Sequence, residues 1–238
     1  MNPQSRIGLI IPSSNRLTEP QFQRYAPAEV GIHVTRLRMT GKWHRPLTDL
    51  KENIAEAAAA LSDVKPGIIV FHCTASSMEE GLAGEAHVVE LIRNASGCPA
   101  MTTGQAITEA LNHFGAKKFV LISPYVEQTN QHEIHYLHEA GFEVIHEFGL
   151  GLTGGDDYIN VTPQRWKDIV LENARPQADA YLLSCTNTTM IETINQLEQR
   201  LQKPVVTSNQ ATLWACLRRT GFDRPIDSLG RLFQSSGH

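Results

Sequence analysis

Two long stretches of this chain repeat each other, and that repeat limits the fold more than any other feature. Ile7–Asn15 (IGLIIPSSN) parallels Phe119–Glu127 (FVLISPYVE), which sets Pro12 against Pro124, 112 positions later. Ile69–Glu79 (IVFHCTASSME) parallels Tyr181–Glu192 (YLLSCTNTTMIE), and Cys73 falls on Cys185 at the same offset of 112. Cys98-Pro99-Ala100-Met101-Thr102-Thr103 then parallels Lys203-Pro204-Val205-Val206-Thr207-Ser208, each followed by Gln-Ala, a helix-like stretch and a glycine, Gly115 or Gly221. There the offset drops to about 105, as a shorter loop in the second half requires.

Such a repeat predicts two similar lobes with a boundary at Gly115–Lys117, an N-terminal lobe of residues 1–115 and a C-terminal lobe of residues 116–238, with the last turns free to cross back. Apolar runs bounded by turn residues read as buried strands at Arg6–Ile11, Gly67–Phe71, Lys118–Ile122 and Ala180–Leu183. Helical patterns follow at Leu50–Leu61, Glu80–Arg93, Val126–Glu139 and Thr188–Leu201. Alternating strands and helices predict an α/β fold, each lobe a mostly parallel sheet flanked by helices. Ligands in open parallel sheets bind beyond the carboxyl ends of the strands. The pseudosymmetry therefore predicts a site in the cleft between the lobes, with Cys73 and Cys185 facing each other.

The chain has 238 residues, enough for a substantial core without disulfide staples. Its net charge of −4 offers no basic face, which argues against nucleic acid as a partner. No apolar run approaches a membrane span and no leader pattern opens the chain, so a cytoplasmic protein with reduced thiols is expected. The four cysteines and ten histidines show no zinc-ligand spacing, so no metal is expected.

Cys73 and Cys185 each end a strand and each is followed by threonine, Thr74 or Thr186, where a helix is expected to begin. Unpaired N–H groups at a helix start lower a thiol's pKa and bind carboxylates. A lone cysteine is more often a small core residue; two at equivalent strand ends favour chemistry. Cys98, in a Gly-Cys-Pro turn, and Cys216, in the helical run Ala211–Arg218, keep the core reading. Pro12-Ser13-Ser14-Asn15 reads as a turn and helix cap whose hydroxyls and amide also suit a carboxylate. Tyr125, at the equivalent place in the second lobe, can donate to an anionic oxygen. Ala75, Ser76, Ser77, Asn187 and Thr188 continue the two post-cysteine turns. His72 points to the face opposite Cys73 in a strand and is a poor base for it. Thr153-Gly-Gly-Asp-Asp and Asn160 read as a plain surface loop, while positions near 38–45, 78 and 150–160 are expected to set specificity.

IGLIIPSSN, FHCTASS, LISPYVEQTN, the stretch from LLSCTNTTMIE to LRRTG and the closing GRLF, in this order, resemble the aspartate/glutamate racemase superfamily. Within it the resemblance is to the branch of maleate cis–trans isomerase and arylmalonate decarboxylase, and it covers nearly the full length. It implies two pseudosymmetric α/β lobes, an active site between them and no cofactor. It also implies Cys73 and Cys185 as catalytic residues, and Pro12, Ser13, Ser14, Asn15, Thr74, Ala75, Ser76, Tyr125, Thr186 and Asn187 around a small carboxylate substrate. A homodimer is compatible with the resemblance. Arylmalonate decarboxylases keep only the second cysteine, with glycine at the first, so Cys73 argues for isomerisation. Maleate isomerases keep both cysteines and a tyrosine matching Tyr125, with a further asparagine where residues 154–157 here read Gly-Gly-Asp-Asp. The expected function is a cofactor-independent isomerase, either racemase or cis–trans isomerase, acting on a small carboxylic acid. The alternatives are a decarboxylase with Cys185 as proton donor, and a small-acid binding protein or thiol sensor without turnover.

Overall fold

The computed structural model describes residues 5–234. β1 (Ser5–Pro12) is followed by α1 (Thr18–Tyr25), β2 (Val30–Leu37), α2 (Lys51–Ser62) and β3 (Ile68–Phe71). The short α3 (Thr74–Met78), α4 (Gly81–Ser96), β4 (Ala100–Thr102) and α5 (Thr103–His113) complete the first half. The second half runs β5 (Lys118–Ser123), α6 (Glu127–Glu139), β6 (Glu143–Gly149), α7 (Gly155–Asn160), α8 (Pro163–Glu172) and β7 (Ala180–Leu183), then α9 (Ile194–Leu201), β8 (Val205–Thr207) and α10 (Ser208–Arg219).

Each half forms its own four-stranded, all-parallel sheet, ordered β2-β1-β3-β4 and β6-β5-β7-β8. The two orders are identical under the sequence repeat, so the expected α/β lobes are present. The sheets are covered on both faces, which is why their strands read as unbroken apolar runs. Alternation along the strands sorts the core into two layers. Ile7, Leu9 and Ile11 of β1, with Ile68 and Val70 of β3, face a large cluster that runs on into the second lobe through Val120, Leu182 and Val206. Ile10, Ile69 and Phe71 face the other way, against α2 and α4 with Ile54, Leu61 and Val88. The lobes meet along α5 and α10. Both helices begin with a capping box, Thr102 with Gln105 and Thr207 with Gln210. The repeated Thr-x-x-Gln is thus a local start signal used twice.

One sequence expectation changes. The helix expected from Thr188 begins as a single 3₁₀ turn at Met190–Thr193 and becomes α-helical only at Ile194. Residues 186–189 stay irregular because their carbonyls are used elsewhere. The Thr186 carbonyl accepts from Asn15 Nδ2, Thr18 Oγ1 and Asn209 Nδ2, and the Thr188 carbonyl accepts from Gln21 Nε2. Bonds to α1 and α10 have replaced the first turn of a helix, and those partners are remote in sequence. Among the described residues no helix is long and apolar enough to cross a membrane.

Candidate active site

The carboxyl ends of β1, β3, β5 and β7 converge on a cavity of about 600 Å³ between the lobes. Cys73 and Cys185 both line it, with Pro12, Ser14, Asn15, Ala75, Ser76, Tyr125, Thr186 and Asn187. The pseudosymmetry has placed the two thiols in one chamber, and both are almost completely buried. Two residues expected there are elsewhere. Ser13 is exposed, with its N–H on the Leu37 carbonyl. Thr74 is buried beneath the cavity, its hydroxyl donating to Ser208 Oγ at 2.9 Å.

The two cysteines differ in detail. Cys73 precedes the first residue of α3, and its thiol lies 3.3 Å from Ser76 Oγ. Burial raises its pKa, and the Ser76 hydroxyl and N–H pull it back. Cys185 is not at a helix start. Its φ of 149° lies in the region that disfavours side chains, a strain on the order of 1–3 kcal/mol held in place by its surroundings. Its N–H donates to Ser208 Oγ (3.0 Å) and its sulfur accepts the Asn187 N–H (3.3 Å). The Tyr125 hydroxyl also donates to that sulfur. Burial pushes the Cys185 thiol up to about 12 against these donors. Tyr125 is itself raised, by burial first and then by the facing Cys185, so its phenol keeps its proton. It is held by the Ser123 hydroxyl on its N–H (3.1 Å) and by Gly149, where a Cβ would come within 2.6 Å of the Tyr125 carbonyl.

Asn15 reaches the cavity wall, but its amide is spent on the fold. Its Oδ1 accepts the Leu17 and Thr18 N–H groups at the start of α1, and its Nδ2 donates to Thr186 Oγ1 at 3.1 Å. Asn187 is similarly engaged, with Oδ1 accepting the Arg16 N–H at 2.9 Å. The hydroxyls that meet the thiols are those of Tyr125 and Ser76. His72 is buried between the lobes, bonded to Asn209 Oδ1 (2.9 Å) and Thr103 Oγ1 (3.0 Å), and burial holds its pKa down near 4. It is a structural histidine, one residue beyond β3. Cys216 is a core residue of α10, and Cys98 sits in its turn with its thiol on the Ser96 carbonyl.

The arylmalonate decarboxylase family matches residues 7–233 of this sequence. The chain belongs to that family. It is 26% identical to a maleate isomerase of Geobacillus stearothermophilus over 241 residues, covering 95% of this chain and 96% of that protein. It is also 26% identical to the arylmalonate decarboxylase of Bordetella bronchiseptica over 233 residues, covering 97% of each. Among solved structures, a mutant of the Nocardia farcinica maleate cis–trans isomerase, with serine in place of a cysteine and a covalently bound succinylcysteine intermediate, superposes with a TM-score of 0.89 at 21% identity, covering 98% of this chain and 99% of that one. The racemase-superfamily branch read from the sequence is therefore the right one, and this family member carries cysteine at both strand ends.

The outer cavity is walled by two segments near the positions expected to set specificity, 38–45 and 150–160. The loop after β6, whose Thr153–Asp157 stretch reads as plain surface in the sequence, forms one wall with Leu152, Thr153, Gly154, Gly155 and Tyr158. Tyr158 packs edge-on against Tyr125 at 5.7 Å between ring centroids. Asn160 is exposed outside it. Opposite stand Thr40–His44, which follow β2, with Glu79. His44 Nε2 is bonded to Glu79 Oε1 at 2.8 Å, and Trp43 carries the Arg38 guanidinium over its ring at 4.8 Å. Gln128, Thr129 and His132 of α6 complete the rim. The repeat itself accounts for the pairing of these two walls. β2 and β6 are equivalent strands, so once residues 38–45 are placed at the cleft the loop after β6 belongs there too. No cluster of metal-ligating side chains occurs among the described residues.

Proposed function

We propose that this protein is a cofactor-independent isomerase of a small carboxylic acid, of the cis–trans or racemising kind, with Cys73 as the thiol that gives up its proton and Cys185 as the acid. The observation that carries this reading is the pair of cysteines at equivalent strand ends, opening into one buried chamber. Such chemistry needs one sulfur deprotonated and the other protonated, and the two surroundings differ in that sense. Ser76 offers Cys73 a hydroxyl and an N–H. Burial holds Cys185 protonated up to about 12.

In the cis–trans version the Cys73 thiolate attacks one alkene carbon and forms a C–S bond. Cys185 delivers its proton to the neighbouring carbon, giving a saturated succinyl-type thioether that turns about its new single bond. The Cys185 thiolate then takes a proton back, the C–S bond breaks, and the trans acid leaves with Cys73 a thiolate again. Negative charge passes through a carboxylate-conjugated anion on the way, and the Tyr125 phenol is a fixed donor beside it. In the racemising version Cys73 removes the α-proton and Cys185 returns one on the opposite face. Of the two, the covalent intermediate in the similar Nocardia protein favours the cis–trans course.

Decarboxylation is the second reading, and the family's description favours it. It needs only Cys185 to protonate the product anion. Incubating Cys185→Ser with maleate and mapping the modified peptide separates the readings. The isomerase predicts an adduct on the peptide bearing Cys73. Carbon dioxide released from an arylmalonate at an undiminished rate by Cys73→Gly, with no adduct, would make the protein a decarboxylase. Binding of acids without product or isotope exchange would leave the binding protein or thiol sensor.

A further inference from the structure

Three glutamates are buried in the described part of the molecule, and they are not alike. Glu85 is a structural acid: it accepts from Thr102 Oγ1, and from the Tyr136 hydroxyl at 2.7 Å. Glu198 accepts the Val205 N–H at 3.1 Å and the Arg231 N–H at 2.8 Å. Glu133 is fully buried on α6, and neither carboxyl oxygen makes a hydrogen bond of ordinary geometry. The Ser184 hydroxyl, one residue before Cys185, is the hydrogen-bonding neighbour that favours its charge. Glu85 and Glu198 each hold two well-formed donors, so a fully buried acid this poorly supplied calls for a reason.

The reason lies in what it faces. Glu133 is one helical turn from Asn130, whose Oδ1 accepts the Ser123 hydroxyl below Tyr125, and one turn from Tyr136, which holds Glu85. Its charge acts on Cys73 at the end of β3, Cys185 after β7, Tyr125 ahead of α6 and Tyr158 on α7. On the Cys73 side the neighbouring charge is Glu79, paired with His44. Lys42, the permanent cation of the cavity lining, is exposed and lies over the Trp43 ring at 5.3 Å. In a chamber of low dielectric, two negative charges so placed cannot both be held at ordinary pH.

We propose that Glu133 is a positioning residue that limits the cysteine chamber to one negative charge, so that ionised Glu133 and a thiolate exclude each other and the pair never loses both protons. This rests on the isomerase reading for its purpose, since that chemistry fails once the acid thiol is also ionised. It does not rest on it for its test. Burial lifts the Glu133 carboxyl to about 8, below the thiol of Cys185, so as pH rises the first charge goes to Glu133 and thiolate formation stops growing.

The test is the rate of alkylation of Cys73 and Cys185 by iodoacetamide across the pH range, read peptide by peptide, in the wild type, Glu133→Gln, Glu133→Asp and Glu85→Gln. Below pH about 8 the wild type and Glu133→Gln should coincide. Above it the wild type should level off while Glu133→Gln keeps climbing, to a gap of about tenfold one pH unit higher. Glu133→Asp should restore the plateau, and Glu85→Gln should follow the wild type. Parallel curves for wild type and Glu133→Gln would overturn the proposal, as would a climb in Glu85→Gln as well. If Glu133→Gln fails to fold, the wild-type profile decides: no levelling near that pH also overturns it. Because alkylation needs no substrate, a wild type that turns over no acid would refute the isomerase reading and leave this test standing.

Discussion

Cys73 and Cys185 have different neighbours: Ser76 stands three residues from Cys73, whereas Tyr125, beside Cys185, comes from the turn after β5. The asymmetry sets expectations for single substitutions. Cys73→Ser should lower kcat by at least about 10³-fold, since a hydroxyl is a far poorer nucleophile and base at neutral pH. Tyr125→Phe should cost about 10²-fold in kcat with little change in KM, the pattern of a donor used chiefly in the transition state. It should also make Cys185 slower to alkylate, because a hydrogen bond that favours its thiolate is gone. Steady-state kinetics with the acid identified by the adduct experiment measures the first two.

At the level of elements, the strands and most helices followed from local pattern, and the failures came where distant groups compete for the backbone. Residues 186–189 were expected to be helical, yet their carbonyls accept from Asn15, Thr18, Gln21 and Asn209, which no local rule brings there. Asn15 was read as a cap or a substrate ligand. It caps α1 and clasps the turn after Cys185 at once. Asn15→Ala should therefore lower unfolding stability by about 1–3 kcal/mol, the cost of a lost cap together with unpaired buried groups, as a denaturant midpoint will read. It should lower kcat as well, since the strained Cys185 backbone loses a support. Thr207→Ala, at the start of α10, should cost about 1 kcal/mol by cap loss alone.

Across the whole molecule the two lobes are joined by a polar latch as well as the apolar α5–α10 contact. His72 of the first lobe meets Asn209 of the second, which in turn binds Gln21 and Thr186. The His72 imidazole is buried neutral, its pKa depressed from 6.5 to about 4. Its share of stability is thus present above pH 6.5 and lost as pH falls through 4, on the order of 3 kcal/mol by linkage. Glu133 acts in the opposite sense: its pKa is raised from 4.5 to about 8, so its share is full below 4.5 and lost as pH rises through 8. The unfolding midpoint should peak between these limits, with the acid limb flattened in His72→Gln, as calorimetry across pH will show. The two-lobed form followed from an offset of 112 between repeats; the latch did not, because it depends on how the lobes dock. That docking is also what makes the cysteines a pair. The most direct test of the pair follows small unsaturated and α-chiral acids by proton NMR in deuterated water, with the wild type, Cys73→Ser and Cys185→Ser and no added cofactor. A trans acid or α-deuterated product should form with the wild type and with neither variant; turnover by Cys73→Ser at the wild-type rate would rule out a two-cysteine site.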